Sequence, residues 1–157
     1  MHKSNFIIKE ATPKTSLNGI IERLSMLNGL KNVIQVFDAD YIINRSHLAG
    51  AYIDAELAFK SGSNISKSIA TEMLLFAAMT KQISVAIKKA GAKPGKNLVV
   101  FANSPAAYNK IKPLLVNAKD FKRGKSEILS KARGLGIKEK GDLDIRIFRE
   151  MAASRLE

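Results

Sequence analysis

Short hydrophobic runs alternate along the chain with longer stretches in which apolar residues recur at helical spacing. The short runs are rich in β-branched residues and predict strands at 5–9, 32–37 and 97–102. A less regular apolar run near 114–121 is a candidate for a fourth strand. Since helical patterns separate these runs, we predict an α/β fold for residues 1–157: a single domain in which a small mixed β-sheet of three to four strands packs with several α-helices.

The first two helices have start and stop signals. Thr15 or Ser16 is expected to cap the first helix, because a side-chain oxygen at that position accepts a hydrogen bond from a free backbone N–H. Gly29 is expected to end this helix in a left-handed turn. Ser46 is expected to cap the second helix, and Gly62 is expected to stop it.

The later helices follow from apolar spacing and from proline. A long helical unit is predicted over 67–90, with a break or a second cap at Thr80. Pro105 begins the next helix in its first turn, where the missing N–H costs nothing, and Pro113 ends or kinks that helix. Two closing helices are predicted at 125–136 and 143–157.

Positive charge is concentrated in one part of the chain. The formal net charge is +12 over 157 residues, and residues 81–138 alone contain 14 basic and 2 acidic side chains. The flanking segments 1–80 and 139–157 are almost balanced. Since attraction to phosphates increases with the local density of basic groups, this distribution favours a nucleic-acid partner. The alternative is a lysine-rich surface that is simply solvated.

The composition excludes several classes of chemistry. The chain contains no cysteine, so it has no disulfides, thiolate zinc sites or cysteine nucleophiles. It has no apolar run long enough to span a membrane and no secretory signal at its start, so we expect a cytoplasmic protein with no membrane partner. Gly91 and Gly95 lack the spacing of a phosphate-binding loop. We therefore expect no catalytic residue, no metal and no other cofactor.

One enzymatic alternative remains open. Asp38 and Asp40 follow a predicted strand and His47 lies near a helix start, so the three residues are candidates for a small metal-dependent hydrolase. Glu72 on an apolar helix has two interpretations, a proton donor with a raised pKa or a carboxylate that binds a backbone N–H, and we favour the second. The aromatic residues match neither a base-stacking sheet nor a duplex-reading helix. Nucleic-acid contacts should thus involve mainly phosphate and sugar.

Residues 47–95 resemble a known family. The pattern begins with a helix that contains a histidine and repeated alanines. Asn-Ile follows, and then Thr-Glu before apolar residues. A basic residue with Gln-Ile, then Ala-Ile and a glycine complete the pattern. The elements are His47, Ala51 and Ala55, Asn64-Ile65, Thr71-Glu72, Lys81-Gln82-Ile83, Ala86-Ile87 and Gly91. Their order and spacing resemble the archaeal-type small kinase-binding subunit of the KEOPS complex, the TPRKB-like or PRPK-binding family. Archaeal relatives usually have arginine where this chain has Lys81.

The resemblance implies a subunit that is not an enzyme. The family member docks on the small kinase-like ATPase of KEOPS, which installs threonylcarbamoyl on the adenosine at position 37 of tRNA. The ATPase and transferase subunits carry the chemistry, and the other subunits are contacted indirectly. The kinase-binding subunit helps to recruit tRNA and looks able to hold its single-stranded 3′ CCA end.

Candidate contact residues follow from the basic segment and the resemblance. The RNA-binding candidates are polar or basic and cluster around the predicted unit 67–90: Asn64, Lys67, Lys81, Gln82, Lys88, Lys89, Lys93 and Lys96. We expect the lysines from 81 onwards to form one patch, with Asn64 and Gln82 near them to read the RNA end.

Candidates for binding the ATPase lie on the last helix. They form two apolar rows and comprise Leu143, Ile147, Phe148 and Met151. One row is enough to hold the helix on the domain. The other is either a second core row or a free surface for a partner, and the kinase docking that the resemblance implies favours the partner; the sequence leaves open which row is which. The helix is nearly charge-balanced, so docking here should not compete with RNA bound elsewhere.

Overall fold

Four strands form a single antiparallel sheet in the computed structural model, which describes residues 5–29, 31–137 and 141–156. The strands are β1 Ile7–Pro13, β2 Ile34–Asp38, β3 Leu98–Ala102 and β4 Leu115–Asp120. Their order across the sheet is β2-β3-β1-β4, and each neighbouring pair is antiparallel. The predicted α/β fold and the fourth strand are confirmed, but the sheet is antiparallel throughout rather than mixed.

Seven helices surround this sheet within the described residues. They are α1 Leu17–Leu27, α2 Arg45–Ser61, α3 Ile69–Ala78, α4 Ile83–Ala90, α5 Pro105–Ile111, α6 Lys125–Gly134 and α7 Leu143–Ala153. The units β1-α1-β2 and β3-α5-β4 each join two parallel strands with another strand between them, as in ferredoxin-like domains. Helices α2, α3 and α4 are an insertion between β2 and β3.

Both faces of the sheet are buried along β2 and β3, whereas the edge strand β4 is exposed after Leu115. In the central strand β3, Leu98 and Val100 lie in the core beneath α1 and α5, whereas Val99 and Phe101 lie in the larger core beneath the inserted helices. All five residues of β3 are buried. Because successive side chains of a strand point to opposite faces, a run of apolar residues is what a strand covered on both sides requires.

Two helix ends differ from the prediction. Ser16 caps α1 as expected, with its Oγ accepting from the Gly19 N–H at 3.1 Å. However, α1 ends before Gly29, because Asn28 leaves the helix in an extended conformation and its side-chain amide binds both the N–H and the C=O of Ile34. The second helix is capped by Asn44 rather than by Ser46.

The other helix boundaries agree with the sequence signals. Gly62 ends α2 in the left-handed conformation, at φ 73°. The long unit breaks as predicted: α3 ends with Met79 at φ 56°, and the Oγ1 of Thr80 accepts the Gln82 N–H at 3.2 Å before α4 begins. Pro113 lies in a single 3₁₀ turn that ends α5. The last predicted helix ends at Ala153, and Glu157 is outside the described residues.

A buried histidine connects the start of α2 to the end of α3. His47 is fully buried, its Nδ1 accepts the Ile43 N–H at 3.2 Å, and its Nε2 lies 2.9 Å from the carbonyl oxygen of Ala77. A carbonyl only accepts, so Nε2 carries the proton and the ring is neutral. Burial lowers the pKa of His47 to about 4, although the bond to Ala77 acts in the opposite direction.

This histidine should make the fold sensitive to mild acid. The unfolded chain binds a proton at His47 near pH 6.5, but the folded chain resists it down to about pH 4. The contribution of His47 to the free energy of unfolding is therefore fully present above pH 6.5. Up to about 3 kcal/mol of it is lost as the pH falls towards 4. In urea unfolding at a series of pH values, His47→Gln should be less stable at pH 7 and lose much of this slope. An unchanged slope in the variant would contradict the assignment.

Candidate nucleic-acid interface

Helices α3 and α4 form a hairpin that presents four of the eight predicted RNA-binding residues. The left-handed Met79 reverses the chain, and a connection this short makes the two helices antiparallel neighbours. Thr71 and Leu74 of α3 therefore meet Ile83 and Ile87 of α4 beside the edge of β2. The alanines of α4 are its buried residues, which leaves its isoleucines at the surface.

A polar depression lies at the turn of this hairpin. It has a volume of about 380 Å³, and its lining includes Lys81, Gln82, Lys89 and Ser154. The two lysines are exposed and form no ion pair within the described part of the chain. Gln82 begins α4, but its side chain makes no capping hydrogen bond, so its amide remains available to a ligand. The structure thus brings together three of the predicted RNA-binding residues.

An apolar groove borders the same short helix. Ile21, Ile83 and Ile87 line a groove of about 250 Å³ between α1, α4 and the edge of β2, and they are 50%, 40% and 55% exposed. Lys88 lies about 100° around α4 from Lys89 and so points away from the polar depression. The sequence analysis missed this groove. Its signal was the spacing of two isoleucines four residues apart, beside a face of alanines.

Asn64 and Lys67 lie at the opposite end of α3 from Gln82. The ten residues of α3 separate them by about 15 Å, so Asn64 and Gln82 do not share one site as expected. The Asn64 side chain donates to the carbonyl of Ser66 at 2.9 Å, which orders the loop around it. Lys67 is exposed in this same loop.

A buried carboxylate holds that loop in place. Glu72 is fully buried, and its two oxygens accept the N–H groups of Ile65 and Ser66 at 2.8–3.1 Å and the Ser66 hydroxyl at 2.7 Å. Burial acts to raise the pKa of Glu72, but these bonds and one from Arg155 outweigh it, so the pKa lies below its ordinary value. The interpretation of Glu72 as a partner of backbone N–H groups is therefore confirmed.

Several other basic residues of the segment 81–138 are bound to carbonyls or carboxylates of the fold. Lys93 donates to the carbonyl of Gly91 at 2.5 Å, and Lys96 pairs with Asp40 at 3.4 Å. Arg123 and Lys131 bind carbonyls of the turn between β2 and α2. The basic segment thus combines an exposed surface on α4 with cations that stabilise the fold.

The last helix, α7, uses its first apolar row for the core. Ile147 and Met151 are fully buried and Leu143 is partly buried, which corrects their assignment as docking residues. Phe148 is 39% exposed and lies so close to Gly50 of α2 that a Cβ there would be 2.4 Å from its ring. Of the four candidates, Phe148 alone exposes a large apolar surface.

The side of α2 next to Phe148 continues this apolar surface. Ile53 and Leu57 follow Gly50 by three and seven residues, so they share its side of the helix. They are 49% and 55% exposed. Neither residue was among the candidates predicted from the sequence.

The residues proposed for a hydrolase do not form a site. Both ring nitrogens of His47 are occupied in the core, and Asp38 accepts the backbone N–H of Asp40. No cluster of three metal-ligating side chains occurs among the residues that the structure describes. The hydrolase alternative therefore has no structural support.

Comparisons with known proteins agree with the resemblance of residues 47–95. The family model described as "Kinase binding protein CGI-121" matches residues 14–131. A curated relative, the KEOPS complex subunit Cgi121 of Pyrococcus abyssi, is 49% identical over 51 residues, which are 32% of this chain and 30% of the relative. The aligned segment thus spans less than a third of either protein. Among the described residues, no helix is long and apolar enough to cross a membrane.

Proposed function

The chain belongs to the CGI-121 family of kinase-binding proteins, and on that basis we propose that it is a non-catalytic KEOPS subunit that binds the kinase-like ATPase and recruits tRNA for threonylcarbamoyl modification at position 37. The observation that carries the RNA half of this proposal is the surface of α4. There the exposed cluster of Lys81, Gln82 and Lys89 meets an apolar groove at the start of α4, where Gln82 directly precedes Ile83 of the groove, while Lys89 lies on another side of the same helix. We call these two features together the α4 surface.

The α4 surface has the chemistry that single-stranded RNA requires. The lysines supply long-range attraction to phosphates, which accounts for most of the affinity in non-specific binding. A free glutamine amide can donate to and accept from a base edge, and bases outside a duplex expose those edges. The groove beside Ile83 and Ile87 offers an apolar wall for the face of a base.

The 3′ CCA end of tRNA fits this surface better than a duplex does. The groove has a volume of only about 250 Å³ and a mainly apolar lining, whereas an RNA duplex buries its bases and presents mainly its phosphates and sugars. A free end can place a base in the groove while its phosphates lie against Lys81 and Lys89. We therefore assign the end of tRNA to the α4 surface.

The ATPase docks on the other exposed apolar area. Ile53 and Leu57 of α2 and Phe148 of α7 form what we call the α2–α7 surface. Contiguous apolar residues of this size at the surface are typical of protein–protein contacts.

The α4 surface should dominate the electrostatics of tRNA binding. Lys81→Glu combined with Lys89→Glu should weaken binding at least tenfold at moderate salt and should flatten the log–log salt dependence by roughly one unit or a little less per lost phosphate contact. Filter binding at several salt concentrations measures both. Lys110→Glu combined with Lys112→Glu is the matched control, because it changes the net charge equally on α5 and the 3₁₀ turn after it, across the sheet. Equal effects of the two pairs would mean that no local patch exists.

Recognition of the tRNA end should require the apolar groove. tRNA trimmed of its CCA should bind the parent protein several-fold more weakly, because the base contacts are lost. Ile87→Ala, at an exposed position, should lower the affinity for intact tRNA to a similar degree and leave the affinity for trimmed tRNA unchanged. The four affinities form a double-mutant cycle. If the two changes are additive, the end of tRNA does not lie in this groove.

The α2–α7 surface should be needed for the ATPase. Ile53→Glu combined with Leu57→Glu should leave the melting temperature nearly unchanged and abolish pull-down of the ATPase subunit, because both side chains are about half exposed. Met26→Glu, at a more exposed apolar residue of α1, is the control and should retain binding. By contrast, Ile147→Glu should unfold the domain through an unpaired buried carboxylate. If the variant with both Ile53→Glu and Leu57→Glu still pulls down the ATPase subunit, the docking surface is not on α2.

A further inference from the structure

The end of α7 touches both parts of the predicted RNA-binding region. Ser154 lines the depression that contains Lys81, Gln82 and Lys89. The next residue, Arg155, extends along α3 towards the loop that carries Asn64 and Lys67. The sequence analysis placed the partner helix away from the RNA, but the structure places its last turn beside the RNA-binding residues.

Arg155 makes two contacts on α3. Its guanidinium lies 3.9 Å from the ring centre of Phe76, and its Nη2 donates to Glu72 Oε2 at 2.5 Å. Its Nε is buried without a hydrogen-bond partner within the described residues. The position of this guanidinium therefore depends on one carboxylate and one ring, both on α3.

Glu72 passes this contact on to the loop. The carboxylate that receives Arg155 is the one that holds the N–H groups of Ile65 and Ser66. Without Arg155 its charge would be buried with neutral partners alone, and a buried carboxylate that loses its cation is strongly unfavourable. The loop has no regular secondary structure, unlike the helices around it. It is therefore the element that can rearrange to expose the Glu72 carboxylate to water.

Arg155 also lies near Asp54 of α2. Burial raises the pKa of Asp54 on α2, and the positive charge of Arg155 opposes that rise, so the two groups are close enough to interact. Asp54 lies between Ile53 and Leu57 in sequence. A partner seated on α2 and α7 thus covers the helices whose positions determine where Arg155 lies.

We propose that Arg155 is a positioning residue for RNA binding, which holds the loop 64–68 through Glu72 and so couples the α2–α7 surface to the affinity for tRNA. This inference rests on the proposed function. A partner that fixes the last turn of α7 stabilises the ordered loop, and RNA that contacts Asn64 and Lys67 binds that ordered loop best. By linkage, RNA raises the affinity for the partner by the same factor.

The first measurement follows the loop itself by hydrogen exchange. In Arg155→Ala, the amides of Ile65 and Ser66 should exchange at least tenfold faster, with β3 amides as the reference for global unfolding. Arg155→Lys keeps the charge but loses the flat stack on Phe76, so it should be intermediate. Arg149→Ala, an exposed arginine on the same helix, is the control and should match the parent. Unchanged exchange of Ile65 and Ser66 in Arg155→Ala would overturn the proposal.

The second measurement tests the coupling. The ATPase subunit should slow exchange at Ile65 and Ser66 in the parent and raise its affinity for tRNA several-fold, and this gain should disappear in Arg155→Ala and partly return in Arg155→Lys. An equal gain in the parent and in Arg155→Ala would overturn the proposal, since a residue that merely stabilised the fold would leave that ratio unchanged.

If Arg155→Ala does not fold, the exchange of the parent with and without the ATPase decides, and no change in the exchange of Ile65 and Ser66 refutes the coupling. If the parent binds no tRNA, the proposed function fails. The exchange results then still decide whether Arg155 holds the loop 64–68.

Discussion

The structure depends on one constraint: a four-stranded sheet whose two faces are both apolar must be covered on both sides. The strand order and the helices α1 and α5 cover one face in the manner of a ferredoxin-like domain. The other face would lie open to water without the helices inserted after β2 and the two that end the chain. Since an exposed sheet face of this size is very unfavourable, the second helical layer is obligatory, and it is the layer that provides both proposed binding surfaces.

Buried polar groups fix the position of this second layer. His47 connects α2 to the end of α3, and Glu72 connects the start of α3 to the loop before it. Arg123 lies over Phe121 and binds carbonyls of the turn between β2 and α2. Apolar packing alone lets helices slide over a sheet at little cost, whereas a buried hydrogen bond left unmade costs about 1–3 kcal/mol. These residues therefore specify one arrangement of the helices.

The fold could be predicted from the sequence because its signals are local. The apolar run that became β3, the stop at Gly62 and the break near Thr80 depend on neighbours in the chain. The early end of α1 depends on tertiary structure, because the side-chain amide of Asn28 binds the backbone of Ile34 in the next strand. The candidate site divides in the same way. Charge density indicated Lys81 and Lys89, but nothing in the sequence shows that Lys96 meets Asp40, or that α7 buries the row of Ile147 and Met151.

A protein that recruits one molecule and binds another needs surfaces that differ in chemistry and a connection between them. The α4 surface is cationic beside a narrow groove, and the α2–α7 surface is apolar, so neither partner is suited to the other's place. Helix α7 supplies Phe148 to one surface, and Arg155, just after this helix, reaches Glu72 at the start of α3. Because the same buried carboxylate orders the loop of Asn64, any change in the last turn of α7 is transmitted over a single side chain. The connection requires no hinge or lid, and it is available because the chain covers the second face of its sheet with its own last helix.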